Sequence, residues 1–165
     1  MRSEPKSGQM DAVAAHPLAE LLECPPPAGN LLTGSAQAIE LDSGEAVFRQ
    51  QDRCKGLYVI VSGQFFRKAE RLNARLNLGS GRPGDLVELA AALGSGRHTY
   101  TLTALSRGSV LMLPIEALHQ AFDSYPPLRM RLLEELAREV SRAYIACCLN
   151  RVVHTRRRSN GAEAA

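Results

Sequence analysis

Between Ala38 and Pro114 the sequence is a series of short apolar segments separated by glycine-bearing turns, and this rhythm narrows the fold more than any other feature. Ile39 and Leu41 alternate with Glu40 and Asp42 before Ser43-Gly44-Glu45 turns the chain into Ala46-Val47-Phe48. Gln50-Gln51-Asp52 breaks that run, and Gly56 opens Leu57-Tyr58-Val59-Ile60-Val61, the strongest strand. Ser62-Gly63 leads into Gln64-Phe65-Phe66, and Leu76 and Leu78 alternate with Asn77 ahead of a turn-rich stretch from Gly79 to Gly84. Tyr100 to Leu105 and Val110 to Leu113 complete the series, the last ended by Pro114. Strands this short, with glycine about every ten residues, predict an antiparallel sandwich or roll rather than βαβ units.

After Pro114 the period becomes helical. Ile115, Leu118, His119 and Phe122 form one stripe over 115–124, closed at Asp123-Ser124-Tyr125. Pro126-Pro127 open a longer helix, expected over 126–155, since proline is well tolerated in a first turn. Its seam repeats at spacings of three and four, and Leu133, Leu136, Ala137, Val140, Tyr144 and Cys147 are the expected interface of a homodimer. Ahead of the roll, Leu18, Leu21 and Leu22 make a short helical face that Pro25-Pro26-Pro27 is expected to stop. The expected organisation is a flexible arm over 1–15, one domain over 16–155 with its roll at about 36–114, and a disordered tail over 156–165.

The 165 residues suit a single domain, large enough to bury about 70% of the unfolded surface. A net charge of +3 is too small to argue for nucleic acid without a localised patch. No run of 18 apolar residues predicts a membrane span, and no apolar stretch precedes Asp11, so the cytoplasm is the default location. Arg67, Lys68, Arg71, Arg75 and Arg82 make the region 64–82 basic against Glu70 alone; a solvated face is the first reading, and an acidic partner or a nucleic-acid backbone the second, with no aromatic residue interleaved among these cations to stack bases. Cys24, Cys54, Cys147 and Cys148 lack metal-like spacing and read as free thiols. Cys24-Pro25 is by itself weak evidence of haem, so no cofactor or metal is expected. No nucleophile–base pair or paired carboxylates at a recognisable spacing points to an enzyme.

The chemistry concentrates in Gly84-Asp85-Leu86-Val87-Glu88-Leu89-Ala90 and, nine residues after Glu88, Arg97-His98-Thr99. A carboxylate there can accept hydrogen bonds from ribose hydroxyls, while a cation, a hydroxyl and backbone N–H groups can meet a phosphate. Glu88 as a solvated loop acid, and Thr99 as a strand residue favoured for its shape, stay open beside that reading.

Ser43-Gly44-Glu45-Ala46-Val47-Phe48, Gly56 to Gly63, Pro83-Gly84-Asp85-Leu86-Val87, Thr103-Ala104-Leu105, Leu113-Pro114 and Pro127-Leu128 resemble, in order and spacing, the cyclic-nucleotide-binding fold. More narrowly they resemble the sensory domain of the Crp–Fnr family of bacterial transcription regulators. The resemblance implies a mainly β fold with flanking helices: a double-stranded β-helix, or jelly roll, followed by a long C-terminal dimerisation helix. It implies a regulatory module sensing an anionic small molecule, such as cyclic AMP, between roll and helix. Glu88, Leu89, Ala90, Arg97, His98 and Thr99 are the expected ligand-binding residues, with Tyr144 reaching from the helix.

The sequence departs from the family's Gly-Glu-Leu-Ala cassette because Val87 directly precedes Glu88. With a one-residue gap Glu88 is the ribose acid; without one it takes the glycine position. Counting back from Ala104 puts His98 where the family has arginine, and Arg97 one residue early on the opposite face. The family's regulators continue into a helix-turn-helix, and the residues after Thr155 hold no recognition helix, so DNA binding by this chain alone is not expected. Two alternatives stay open: a ligand-free dimerising protein that pairs with full-length regulators, and the N-terminal part of a DNA-binding transcription factor.

Overall fold

The structure, a computed structural model, describes residues 18–162, with their side chains save those at 143, 146, 147 and 149–162. A helical stretch at 18–22 precedes helix α1 (Pro26–Ser35). The strands are β1 (Gln37–Leu41), β2 (Ala46–Phe48), β3 (Gly56–Ser62), β4 (Phe65–Arg71), β5 (Ala74–Gly81), β6 (Leu86–Val87), β7 (Thr101–Ala104) and β8 (Gly108–Pro114). A π-helical turn at Ala91–Ser95 separates β6 from β7, and helices α2 (Ile115–Ser124) and α3 (Pro127–Ala162) follow the strands. Two antiparallel sheets result, in the orders β1-β8-β3-β6 and β2-β7-β4-β5. At every step but β4 to β5 the chain crosses from one sheet to the other. That winding is the jelly roll read from the sequence, with helices flanking it.

β3 explains how the roll and helices share one body. Its side chains alternate between faces, yet Leu57 to Ile60 are all buried. Tyr58 and Ile60 enter the core inside the roll with Phe48, Phe65, Leu102 and Val110. Leu57 and Val59 enter a second core under the helices with Leu113, Leu118, Leu128 and Leu132. A strand covered on both sides is therefore continuously apolar, and each such side chain contributes roughly 1.5–3 kcal/mol. At Gly56 the two central strands come so close that a Cβ would lie 2.0 Å from the Leu113 carbonyl oxygen.

The helical stretch at 18–22 stops ahead of Pro25-Pro26-Pro27, as the sequence reading expected, but the same prolines then open a second helix that the reading did not foresee. Pro25 is the N-cap residue and Pro26 and Pro27 form the first turn of α1, where no N–H partner is required. The helix sets Leu32 fully into the second core. β4 and β5 join through Leu72-Asn73, both left-handed (φ 50° and 62°), as a two-residue hairpin turn requires.

In α3, Leu128, Leu132 and Leu136 repeat every four residues and pack on the second core. Of the expected interface, Leu133 and Leu136 are half-buried, whereas Ala137, Val140 and Tyr144 are exposed. The Cys147 side chain lies outside the described residues, as does the arm at 1–15. α3 continues to Ala162, past the expected end near 155.

Candidate functional site

Glu88 leaves β6 in the left-handed conformation (φ 68°), the backbone state that glycine adopts most readily. This matches the ungapped alignment, in which Glu88 stands at the cassette's glycine. It is not a solvated loop acid: the residue is 1% exposed. Its carboxylate accepts from the Thr99 hydroxyl at 2.7 Å on Oε1, and from the Thr99 N–H at 2.9 Å and His98 Nδ1 at 2.8 Å on Oε2. A carboxylate oxygen can only accept, so the His98 ring carries a proton on Nδ1. The Glu88 N–H donates to the Tyr100 hydroxyl at 3.1 Å.

His98 is as buried as Glu88, and its ring stacks on Phe48 at 3.9 Å between centroids with a 6° tilt. Its backbone exchanges bonds with the 50–52 turn, accepting from Gln51 N–H at 2.8 Å and donating to the Asp52 carbonyl at 2.9 Å. Both carboxylate oxygens of Glu88 and its N–H are bonded within the chain. The hydroxyl and N–H of Thr99, the donors expected to meet a phosphate, are both engaged by a carboxylate of the chain itself.

In front of the cluster, a groove of about 1260 Å³ runs between the roll and α3. Glu88, Leu89, Ala90 and Thr99 border it, together with Arg67, Tyr100, Leu78 and Leu86 of the roll and Leu132, Leu136, Glu139 and Val140 of the helix. Its cations differ sharply. Arg131 is paired with Glu23, while Arg138 and Arg142 both bond Glu135, at 3.0 and 2.9 Å. Arg67 lies over the Tyr100 ring, 5.9 Å from its centroid, and reaches Asp85 only at 3.6 Å. Among the described residues its Nε is the one buried side-chain nitrogen or oxygen without a hydrogen-bond partner.

Burial raises the carboxyl of Glu139 above its ordinary range, opposed by Arg67 and reinforced by the charge of Glu88. Burial likewise raises the Tyr100 hydroxyl, against the nearby Arg67 cation. Both residues are therefore biased toward their neutral forms.

Not every expected site residue reaches the groove. Arg97 is exposed, its guanidinium donates to the Gln51 carbonyl at 2.9 Å, and it is not among the groove's lining residues. His98 sits behind Glu88, inside the roll. Tyr144 is 70% exposed and also absent from the lining; Glu139 and Val140 stand there instead. The reading missed Arg67, taken for a solvated hairpin cation but only 17% exposed. A signal was present: Phe65, Arg67 and Ala69 share one face of β4, and the first and third are buried.

Cys24 is half-buried, Cys54 buried and Cys148 exposed, all as free thiols. Burial pushes the Cys24 and Cys54 thiols up, toward the unreactive protonated form. Among the described residues no group of three His, Cys, Asp or Glu is placed to hold a metal ion, and no helix is long and apolar enough to cross a membrane.

Comparison with known proteins accords with this geometry. The sequence pattern of the family described as "Cyclic nucleotide-binding domain" matches residues 38–125. The sensor domain of the transcriptional regulator DNR from Pseudomonas aeruginosa superposes with a TM-score of 0.72 at 19% identity, covering 82% of this chain and 93% of that one. The Thermus thermophilus Catabolite Activator Protein gives 0.68 at 23% identity, covering 81% and 62%. These likenesses establish a shared fold. The chain is also 30% identical over 107 residues to "Lysophospholipase NTE1" of Eremothecium gossypii, a stretch that is 64% of this chain and 7% of that protein.

Proposed function

We propose, for a chain that belongs to the cyclic nucleotide-binding domain family, a role as a regulatory module that senses an anionic small molecule between roll and long helix. The groove carries the reading: it joins the Glu88 loop to α3, so a ligand seated there would bias one helix arrangement over another. The likeness to the sensor domain of a transcriptional regulator supports a place in transcription control. Cyclic nucleotides are disfavoured among the ligands, because the Thr99 donors are already held by Glu88.

A second reading has its own observation. Met130, Val140, Tyr144 and Ile145 of α3 are all more than half exposed, an apolar stripe suited to a partner helix. With the cassette filled internally, the chain then acts as a ligand-free homodimerising module that pairs with related regulators.

A melting scan against cyclic AMP, cyclic GMP, cyclic di-GMP and a panel of small carboxylic acids separates the two. A ligand at a hundred times its Kd adds about 2.7 kcal/mol, and for a protein of this size roughly 5–10 °C. The sensing reading expects such a shift from an acid and none from the cyclic nucleotides. A flat scan, with a dimer in sedimentation that Val140→Glu dissociates, would leave the second reading standing.

A further inference from the structure

We infer that Arg67 is the anion anchor of the groove, and that the ligand is a small organic acid with an apolar body. The inference rests on the sensing reading and names its ligand class. Arg67 projects from β4 on the same face as buried Phe65 and Ala69, where an apolar side chain would be expected from packing alone. Its guanidinium is largely shielded, its Nε lacks a partner, and its contact with Asp85 at 3.6 Å is longer than a good hydrogen bond. A buried donor without a partner is a cost to the folded chain that an acidic ligand can remove. The other arginines of the groove are engaged by Glu23 and Glu135, which leaves Arg67 with spare donors.

The ligand's remaining chemistry follows from the walls. Leu78, Leu86 and Leu89 of the roll face Leu132, Leu136 and Val140 of α3 across the groove. An apolar body loses water against these surfaces, while a planar carboxylate or a sulfonate meets the guanidinium fork. The Thr99 donors take no part, since Glu88 retains them. This position for the anion is distinct from the His98–Thr99 seat expected from the sequence.

Two fluorescent probes with the same apolar body test it: 8-anilino-1-naphthalenesulfonate and its uncharged counterpart, N-phenyl-1-naphthylamine. The wild-type chain is expected to bind both, and Leu78→Trp, which fills the groove, to weaken both. Arg67→Met is expected to weaken the sulfonate by about tenfold or more, as loss of a charged hydrogen bond implies, and to leave the amine unchanged. Binding of neither probe to the wild type would overturn the groove itself and this inference with it. Binding of both, with Arg67→Met weakening neither or weakening them equally, would overturn the anchor alone. Near-ultraviolet circular dichroism verifies that each variant is folded, and Arg67→Gln serves the same comparison should the methionine variant melt early.

Discussion

Two polar neighbourhoods border the same groove and are built on opposite principles. Around Glu88 the polar groups bond one another: the carboxylate takes three hydrogen bonds, its own N–H finds Tyr100, and His98 behind it is stacked and bonded through Nδ1. Around Arg67 the accounts stay open, with one orphaned nitrogen, a long ion pair and a carboxyl on α3 raised by burial. A saturated network stabilises and specifies the fold, whereas an unsaturated cation beside apolar walls is available to something else. Our proposal follows that contrast: it gives Arg67, which the sequence placed in solvent, the ligand's anion, and leaves the Glu88 carboxylate to its bonds within the chain.

The largest expected effect tests the saturated side. Glu88→Ala removes the shared acceptor and leaves the His98 ring buried without a partner, at a cost of about 3–5 kcal/mol. Urea unfolding should show that loss without a change of slope. If the loss is under about 1 kcal/mol, the network is not what holds the loop.

Glu88→Gly sharpens the same point at smaller scale. It deletes the same carboxylate but suits the left-handed backbone at φ 68°. It should therefore retain about 1 kcal/mol of the stability that the alanine variant loses. Equal losses in the two variants would mean that the backbone of Glu88 is unstrained.

A still smaller effect tests the open side through pH. The folded chain holds the Glu139 carboxyl above its ordinary value of 4.5. The native state therefore keeps a proton that the unfolded state releases, and stability falls as pH rises from 4.5 through the folded value. Glu139→Gln abolishes that decline, so its gain in Tm over the wild type should be larger at pH 7.5 than at pH 4. A gain independent of pH would place Glu139 in water.

Much of the fold was legible because the roll's signals are local. Glycine turns and short alternating segments gave the strands, and the switch of period after Pro114 gave α2 and α3. β3 was legible as a strand, but its burial on both faces is a tertiary fact that became visible only with the helices packed beneath it. α1 was missed because the reading used Pro25-Pro26-Pro27 as a stop, although the same residues can open a helix.

The site was legible in part. Glu88, Leu89, Ala90 and Thr99 come to the groove as their motif suggested. What could not be read was the direction of the Glu88 carboxylate, which turns on one left-handed backbone angle and on Thr99 beyond the π-helical turn. Arg67 was obscured by its company: four further cations in the same hairpin region invite a solvated reading, and only strand parity with Phe65 and Ala69 sets it apart.

The most direct test of the contrast is a pair of thermal melts, Arg67→Met beside Glu88→Ala, in one buffer without added ligand. The account predicts that Glu88→Ala melts well below the wild type, while Arg67→Met, relieved of a buried unpartnered donor, melts no lower than it. If Arg67→Met loses as much as Glu88→Ala, Arg67 belongs to the framework of the fold and the division between the two neighbourhoods is wrong.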